Sequence, residues 1–244
     1  MTTKILQQGS TGPEVKALQE KLNTRLVPGP MLARDGVFGS LTRAAVIRFQ
    51  ESQWLVADGI AGQCTQNALF GRETYSPILH VVDFISQPTA STCWAASTAM
   101  MIRSTVPIVI SRTPADLILP DGSLRNDSET NDAVTNSRRY ATVHHLRAEP
   151  PMSWMVSRLR SALGYGPLMF DMLWSVGEYT KGLGSPGHMI VVTGMRGDDD
   201  ESGIGTTLRI HDPWPPLKGA RYSVGHLRWM QEVPTRTYRV FHRA

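Results

Sequence analysis

Four residues of this 244-residue chain have the types and positions that nucleophilic attack on a carbonyl group needs, and Cys93 is the central one. It begins the almost uniformly apolar stretch 93–103, which predicts a helix buried on all sides. A thiol at a helix N-terminus meets the positive end of the helix dipole and unpaired N–H groups, and both favour the reactive thiolate. A lone cysteine is more often a small buried hydrophobe, so the interpretation depends on its partners.

The partners of this thiol are predicted to come from three other segments. Gln87 lies shortly before Cys93, so its side-chain amide and the Cys93 N–H could together form an oxyanion hole. His188 opens an apolar strand, which could place its ring at the sheet end that faces the helix start. Asp212 closes the next strand, and a carboxylate there could hold the imidazole in one tautomer.

The chain has seven histidines, and position favours His188 without excluding the others. Strand alternation places the side chain of His211 on the face opposite to that of Asp212. His144 and His145 lie in a strand-like stretch that we predict to be exposed. The remaining histidines have no carboxylate at the end of a neighbouring strand: His80, His226 and His242.

The sequence predicts neither a metal site nor a cofactor. His and Cys do not recur at the spacing of metal ligands, and Cys64 and Cys93 fall in different predicted domains. With 41% hydrophobic and 19% charged residues, the composition is globular, which excludes disordered, collagen-like and coiled-coil chains. The net charge of +4 permits attraction to anionic polymers without specifying one, and we expect no nucleic-acid partner.

No segment of the sequence is predicted to enter a membrane. The longest apolar runs, such as 106–110 and 189–192, are too short to span a bilayer. Residues 1–9 lack the apolar stretch of a secretory signal peptide. We therefore expect synthesis in the cytoplasm and a non-classical route to the periplasm, the cell wall or a target cell.

Residues 77–244 predict an α+β domain, which follows a linker at 72–76. The apolar run 78–85 predicts the first strand of this domain, and the polar stretch 120–136 predicts a surface excursion. The later elements are an amphipathic helix with Met152, Met155, Val156, Leu159 and Leu163 on one face, and strands at 168–173, 188–193, 207–210 and 238–242.

Residues 1–71 predict a small helical domain. Thr11 and Glu14 stand at capping-box spacing before an amphipathic helix, and Ser40 is predicted to cap a second helix. Two similar segments, Asp35-Gly-Val-Phe-Gly39 and Asp58-Gly-Ile-Ala-Gly62, each predict an Asp-Gly turn before a helix. In each copy a second glycine is expected to relieve steric limits, and the identical residues indicate an internal repeat.

The first domain resembles the bacterial peptidoglycan-binding domain, a three-helix module. The residues that carry this resemblance are the two Asp-Gly segments together with Gly12-Pro-Glu-Val15, Leu18-Gln19, Ala44-Ala-Val46 and Phe49-Gln50. The resemblance covers nearly all of residues 5–71 and implies that the module tethers the chain to peptidoglycan.

The second domain resembles the papain-like cysteine peptidases, above all the bacterial branch with double-glycine bacteriocin-processing peptidases and plant-pathogen effector proteases. The resemblance is carried by Gln87-Pro-Thr-Ala-Ser-Thr-Cys93-Trp-Ala-Ala-Ser97, Gly187-His188-Met-Ile-Val-Val and His211-Asp212-Pro-Trp214. It implies that Cys93 is the nucleophile, His188 the general base and acid, Asp212 the orienting residue and Gln87 the oxyanion donor. It also implies a central buried helix packed on an antiparallel sheet.

Together the two resemblances predict a wall-targeted cysteine hydrolase that cleaves amide bonds in peptidoglycan peptides. One alternative is an effector protease that cleaves a protein in a target cell. Another is a wall-binding protein without catalysis. A type VI-style secreted toxin and a phage endolysin both fit the sequence, and a secreted toxin would need a cognate immunity protein as a partner.

Overall fold

The computed structural model describes residues 3–125, 132–149, 154–173, 187–198, 200–232 and 239–244. The chain divides into two compact units. The first unit contains Met1–Pro77, Arg196–Thr207 and Ser223–Leu227, and the second contains Ile78–Met195, Leu208–Tyr222 and Arg228–Ala244. The helices and the antiparallel strand pairs give the α+β class that the sequence predicts.

The first unit contains three helices around one apolar core, in agreement with the predicted helical domain. They are α1 (Pro13–Arg25), α2 (Ser40–Ser52) and α3 (Gln63–Phe70). Val15, Leu18 and Leu22 of α1 are fully buried, as the apolar periodicity predicts. The core is completed by Leu6, Leu26, Leu32, Phe38, Ala45, Val46, Phe49, Leu55, Ala61, Ala68 and Leu69.

The predicted caps of the first two helices are wrong. The N-cap of α1 is Gly12, at φ 119°, and it makes no side-chain cap hydrogen bond. Thr11 instead forms an antiparallel bridge with Val37. Gly39, rather than Ser40, is the N-cap of α2. Backbone contacts with a distant segment therefore determine how α1 begins.

The internal repeat forms two similar turns, and each encloses a buried glutamine. Gln19 Nε2 donates to Asp35 Oδ1 at 2.9 Å, to Val37 O at 3.0 Å and to Thr42 Oγ1 at 3.3 Å. Its Oε1 accepts from Gly36 N at 3.0 Å. Both polar atoms of this buried amide are satisfied, which such a position requires.

The second turn repeats these bonds around Gln50. Its Nε2 donates to Asp58 Oδ1 at 2.9 Å, to Ile60 O at 2.9 Å and to Thr65 Oγ1 at 3.1 Å, and its Oε1 accepts from Gly59 N at 2.9 Å. Gly59 has a φ of +77°, and a Cβ there would lie 2.8 Å from Arg43 Cγ. The first glycine of each copy, not the second as predicted, meets the steric demand of the turn.

Most residues of the antiparallel sheet belong to the second unit, and the strand order is β2-β7-β3-β4-β5-β6, with β1 paired to β4. The strands are β1 (Ile78–Leu79), β2 (Leu146–Glu149), β3 (Leu168–Leu173), β4 (Gly187–Gly197), β5 (Thr206–Asp212), β6 (Ala220–Gly225) and β7 (Val240–Arg243). The further helices are α4 (Cys93–Ile102), α5 (Val106–Arg112), a 3₁₀ helix (Ala115–Leu117), α6 (Asp132–Val143), α7 (Val156–Leu163) and α8 (His226–Glu232).

Helix α4 is buried on all sides, as its apolar sequence predicts. Ser97 Oγ donates to the carbonyl of Met189 on β4 at 2.8 Å. Thr98 Oγ1 lies 2.6 Å from the hydroxyl of Tyr140 on α6. The few polar side chains of α4 therefore fix it against the sheet and a neighbouring helix, which confirms the predicted central helix on an antiparallel sheet.

Several predicted elements of the second unit differ from the observed ones. The run 78–85 forms only the two-residue strand β1. Met152 lies outside the described residues, and Met155 precedes α7 with 49% of its surface exposed. The described part of the stretch 120–136 contains a turn and the start of α6, while residues 126–131 lie outside the description.

The prediction of an exposed strand at residues 144–145 is wrong for His144, which is fully buried, whereas His145 is exposed as predicted, and both residues lie in a turn. His144 follows the last turn of α6, and its Nε2 lies 2.8 Å from Thr113 Oγ1. Burial is the main reason that the pKa of His144 is lowered to about 4. The ring is therefore a neutral part of the core at neutral pH.

Within the described residues, no single helix is long and apolar enough to cross a membrane. One bent pair, α4 and α5 with 102° between them, satisfies the length and composition requirements together. Also within this part of the chain, no group of three or more His, Cys, Asp or Glu residues could hold a metal ion.

Replacing Gln50 with leucine should destabilise the first unit by about 2–4 kcal/mol, because each buried polar group left without a partner costs roughly 1–3 kcal/mol. Gly59 N–H loses its acceptor, while Ile60 O and Thr65 Oγ1 each lose one bond and keep the bond between them. Hydrogen exchange of peptides from residues 13–70 measures the change in stability. Gln8→Leu, at an exposed position, is the control and should leave protection unchanged. Equal protection in the Gln50 variant and the wild type would show that the amide is dispensable.

Candidate active site

Cys93 is the first residue of α4 and follows the N-cap Thr92, as the sequence predicts. The side chain of Thr92 turns back onto the preceding loop, where its Oγ1 accepts from Thr89 N at 3.1 Å. The Cys93 residue is 8% exposed. The thiol therefore lies at the positive end of a helix, with little solvent around it.

His188 and Asp212 are in direct contact. His188 Nε2 lies 2.7 Å from Asp212 Oδ1, and both side chains are largely buried. The same carboxylate oxygen accepts from the backbone N–H of Trp214 at 2.9 Å, and the Tyr222 hydroxyl donates to Oδ2 at 3.5 Å. These contacts fix the carboxylate, and the carboxylate in turn fixes the imidazole ring.

His188 also makes a side-chain hydrogen bond with Cys93. Because Nε2 faces Asp212, Nδ1 is the ring nitrogen left for the sulfur. The structure therefore brings together the cysteine, the histidine and the aspartate that the sequence singles out from three separate segments. This arrangement allows one ring to exchange a proton with sulfur while a carboxylate supports its charged form.

The environment of His188 favours its protonated form. Burial by itself would lower the pKa, but the hydrogen bonds with Asp212 and Cys93 and the charges of these two groups raise it to about 9. At neutral pH the ring is therefore an imidazolium. The ring therefore holds a proton that it can donate to a leaving group.

Gln87 is fully buried, and its backbone is bound to the loop that follows Asp212. Gln87 N donates to Pro213 O at 3.0 Å, and Gln87 O accepts from Leu217 N at 2.8 Å. Its side-chain Nε2 donates to Thr89 O at 2.7 Å, and its Oε1 has no hydrogen-bond partner among the residues that the structure describes. One N–H of this amide remains available for a ligand, so its role as an oxyanion donor stays a prediction.

The predicted surface excursion at 120–136 includes a turn that lies against the start of α4, and sequence reasoning missed this contact. Trp94 Nε1 donates to Gly122 O at 3.0 Å, and Ser91 Oγ donates to Asp121 O at 2.7 Å. Gly122 has a φ of +83°, and a Cβ there would lie 3.1 Å from Ser91 Oγ. The Asp-Gly-Ser signature at 121–123 marks a turn, but no local pattern shows which element it contacts.

Two family models match the chain. The model for peptidoglycan binding domains matches residues 11–69, and the model described as "Papain-like cysteine protease AvrRpt2" matches residues 78–231.

Two curated relatives share parts of the chain. The zinc D-Ala-D-Ala carboxypeptidase of Streptomyces albus G is 46% identical over 65 residues, which are 27% of this chain and 26% of that protein. The N-acetylmuramoyl-L-alanine amidase CwlL of Bacillus licheniformis is 27% identical over 157 residues, which are 61% of this chain and 42% of that protein. The chain therefore spans less than half the length of either relative.

Among solved structures, a C39-like peptidase from Bacillus anthracis has a TM-score of 0.40 at 13% identity, with 70% of this chain and 98% of that chain covered. A double glycine motif protease from an AMS/PCAT transporter has a TM-score of 0.38 at 17% identity, with coverages of 70% and 100%. The Burkholderia AP3 phage endolysin has a TM-score of 0.27 at 28% identity, with coverages of 50% and 43%.

The charge of His188 can be measured by NMR through its ring ¹⁵N shifts. At pH 7.5 we expect a protonated ring. Asp212→Asn should lower the pKa of the ring, because the carboxylate that offsets the effect of burial is lost. His211 is an internal control: burial, with Arg209 and Arg221, lowers its pKa to about 4, so it stays neutral in both proteins.

The pKa of His188 also determines how the stability of the folded protein depends on pH. The pKa of His188 in the folded protein exceeds the ordinary value of 6.5. Its contribution to folding is therefore complete below pH 6.5 and is lost as the pH rises through about 9. A wild-type titration midpoint at or below 6.5 would contradict the geometry described above.

Proposed function

This chain belongs to the family of papain-like cysteine proteases named for AvrRpt2, and from that premise we propose that it hydrolyses amide bonds in peptidoglycan peptides. The observation that carries the proposal is the contact of His188 with both Cys93 and Asp212. The matched peptidoglycan-binding domain supports the substrate class, because it would hold the enzyme on the wall.

In the first step the Cys93 thiolate attacks the carbonyl carbon of the scissile amide, and a bond forms between sulfur and carbon. The negative charge moves to the carbonyl oxygen, where the Cys93 N–H and the free N–H of the Gln87 amide would stabilise it. The imidazolium of His188 then donates its proton to the amide nitrogen, and the C–N bond breaks. The amine leaves, and an acyl-enzyme remains.

In the second step water releases the acyl group. The neutral His188 ring accepts a proton from the water as its oxygen attacks the acyl carbon. The C–S bond breaks, the acid leaves, and the pair of thiolate and imidazolium is restored. Asp212 keeps its hydrogen bond to Nε2 throughout, so the ring presents the same nitrogen to the sulfur in both steps.

The wall-binding domain would act by raising the local concentration of the substrate. A domain that binds the polymer turns encounters with wall amides into events within one complex, which raises the effective substrate concentration without a new contact at the active site. Two curated relatives are named as a D-Ala-D-Ala carboxypeptidase and an N-acetylmuramoyl-L-alanine amidase. Both names describe cleavage of an amide bond formed by an alanine residue, which supports amide hydrolysis on a similar substrate class here.

The second candidate function is cleavage of a protein inside a target cell. The description of the matching family as a cysteine protease favours it. The chemistry would be the same, and the wall-binding domain would serve for transit or retention. In that case we expect no bond of peptidoglycan to be cut.

Purified sacculi treated with the wild-type protein should release new amino groups, and mass spectrometry of the muropeptides should identify the cut bond. Cys93→Ala should abolish this release, because no nucleophile remains. Cys64→Ala is the matched control and should retain it, because burial raises the pKa of Cys64 to about 11 and keeps that thiol protonated.

The outcomes of this experiment distinguish the candidates. Release that persists in Cys93→Ala would overturn the assignment of the nucleophile. Intact sacculi together with cleavage of protein substrates would favour the effector protease. Inactivity on both, together with no alkylation of Cys93 at neutral pH, would favour a binding protein without catalysis.

Gln87→Ala should lower kcat by about 10²–10³-fold with little change in KM, the usual effect of removing one oxyanion donor. Alkylation of Cys93 by iodoacetamide forms no oxyanion, so its rate should stay the same in this variant. Gln8→Ala, at an exposed position, should change neither rate. A parallel loss of alkylation would show that Gln87 acts by holding the fold around the thiol.

A further inference from the structure

The turn at residues 213–219 directly follows Asp212 and is bound at two points to Gln87. Gln87 N donates to Pro213 O at 3.0 Å, and Leu217 N donates to Gln87 O at 2.8 Å. Gly219 N closes the turn with a bond to Pro215 O at 2.7 Å. Since Gln87 lies just before the loop that leads to Cys93, this turn is fixed to the candidate oxyanion residue.

Leu217 has an unusual conformation within this turn. Its φ is +63°, in the left-handed region that residues with a Cβ rarely adopt. Its side chain is 81% exposed, so packing does not compensate for the backbone strain. Glycine would adopt this conformation with less strain, so the fold alone gives no reason for a large apolar side chain at this position.

We propose that Leu217 is a specificity-determining residue, whose side chain contacts an apolar group next to the scissile amide of the substrate. The inference rests on the proposed function, because it assumes that Cys93 is the nucleophile. A leucine side chain offers only apolar surface, so the group that it recognises is aliphatic or aromatic. The bond between Leu217 N and Gln87 O keeps the side chain in place while the substrate binds.

Strained backbone of this kind is concentrated at active sites and ligand clamps, where the surrounding structure imposes it. Here the hydrogen bonds between the turn and Gln87 impose the strained backbone conformation of Leu217. Gly219 adds a close approach, because a Cβ there would lie 2.3 Å from Phe84 Cζ and 3.0 Å from Asp212 O. The turn is therefore anchored to Phe84, Asp212 and Gln87, while Leu217 alone among these residues has a mostly exposed side chain.

Two alkylating probes test the contact without knowledge of the natural substrate. Iodoacetamide and N-isobutyl iodoacetamide form the same S–C bond with the thiolate and release the same iodide, and they differ only in an apolar tail. The readout is the ratio of the two rates at Cys93, measured by peptide mass spectrometry. In the wild type we expect the rate with the isobutyl probe, divided by the rate with iodoacetamide, to exceed the same ratio measured for a free thiol in solution.

Leu217→Gly should lower this ratio by about tenfold, the order of discrimination that one apolar contact provides. The rate with iodoacetamide should stay the same, and the melting temperature should not fall, because glycine relieves the strain. Leu217→Asn is a second variant that tolerates the left-handed conformation and should show the same loss.

Met31 provides a matched control in the first unit. It also has a positive φ, +53°, and a side chain that is 91% exposed. Met31→Gly should leave the ratio unchanged. An unchanged ratio in both Leu217 variants, or an equal fall in the Met31 variant, would overturn the proposal. Failure of both probes to label Cys93 would overturn the proposed function and this inference with it.

Discussion

The hydrogen bond between His188 and Asp212 is the interaction on which the candidate site depends. Burial of a histidine disfavours its charged form, and without compensation the ring would be neutral and poorly oriented. The 2.7 Å contact with the carboxylate reverses this effect and holds the ring in one tautomer. The remaining contacts of the site serve to keep this pair beside the sulfur.

The scaffold positions the pair through the backbone rather than through many side chains. The carboxylate is fixed by Trp214 N–H, and the loop that carries it is joined to Gln87 by two backbone hydrogen bonds. Helix α4 is fixed to the sheet by the bond between Ser97 and the carbonyl of Met189, the residue that follows His188. The helix start, the strand end and the following loop are thus connected directly around Cys93.

Features that depend on local pattern could be predicted from the sequence. The apolar run at α4, the strand that contains His188 and the Asp-Gly repeat each have a local signal. Features that depend on distant contacts could not. His144 follows a polar helix, and its neighbours in the sequence do not indicate burial, yet it is buried and its ring lies within hydrogen-bond distance of the distant Thr113.

The candidate site shows the same division. Residue types and positions favoured Cys93, His188 and Asp212, since each begins or ends a predicted element, and the resemblance to papain-like peptidases singled out His188 among the seven histidines. The bonds of Gln87 to the loop after Asp212 and the turn at 121–123 beside Trp94 involve segments that no periodicity connects. For the same reason the capping box at Thr11 failed, because a bridge to Val37 replaced it.

The environment of Cys64 affects how the protein would respond to oxidants. A thiol with a pKa of about 11 is almost entirely protonated at neutral pH and reacts slowly with peroxide or disulfides. Since the chain has two cysteines, thiol oxidation would be concentrated on the sulfur of Cys93. Peroxide would then inactivate the protein by forming a sulfenic acid at Cys93, and a small-molecule reductant could restore the thiol.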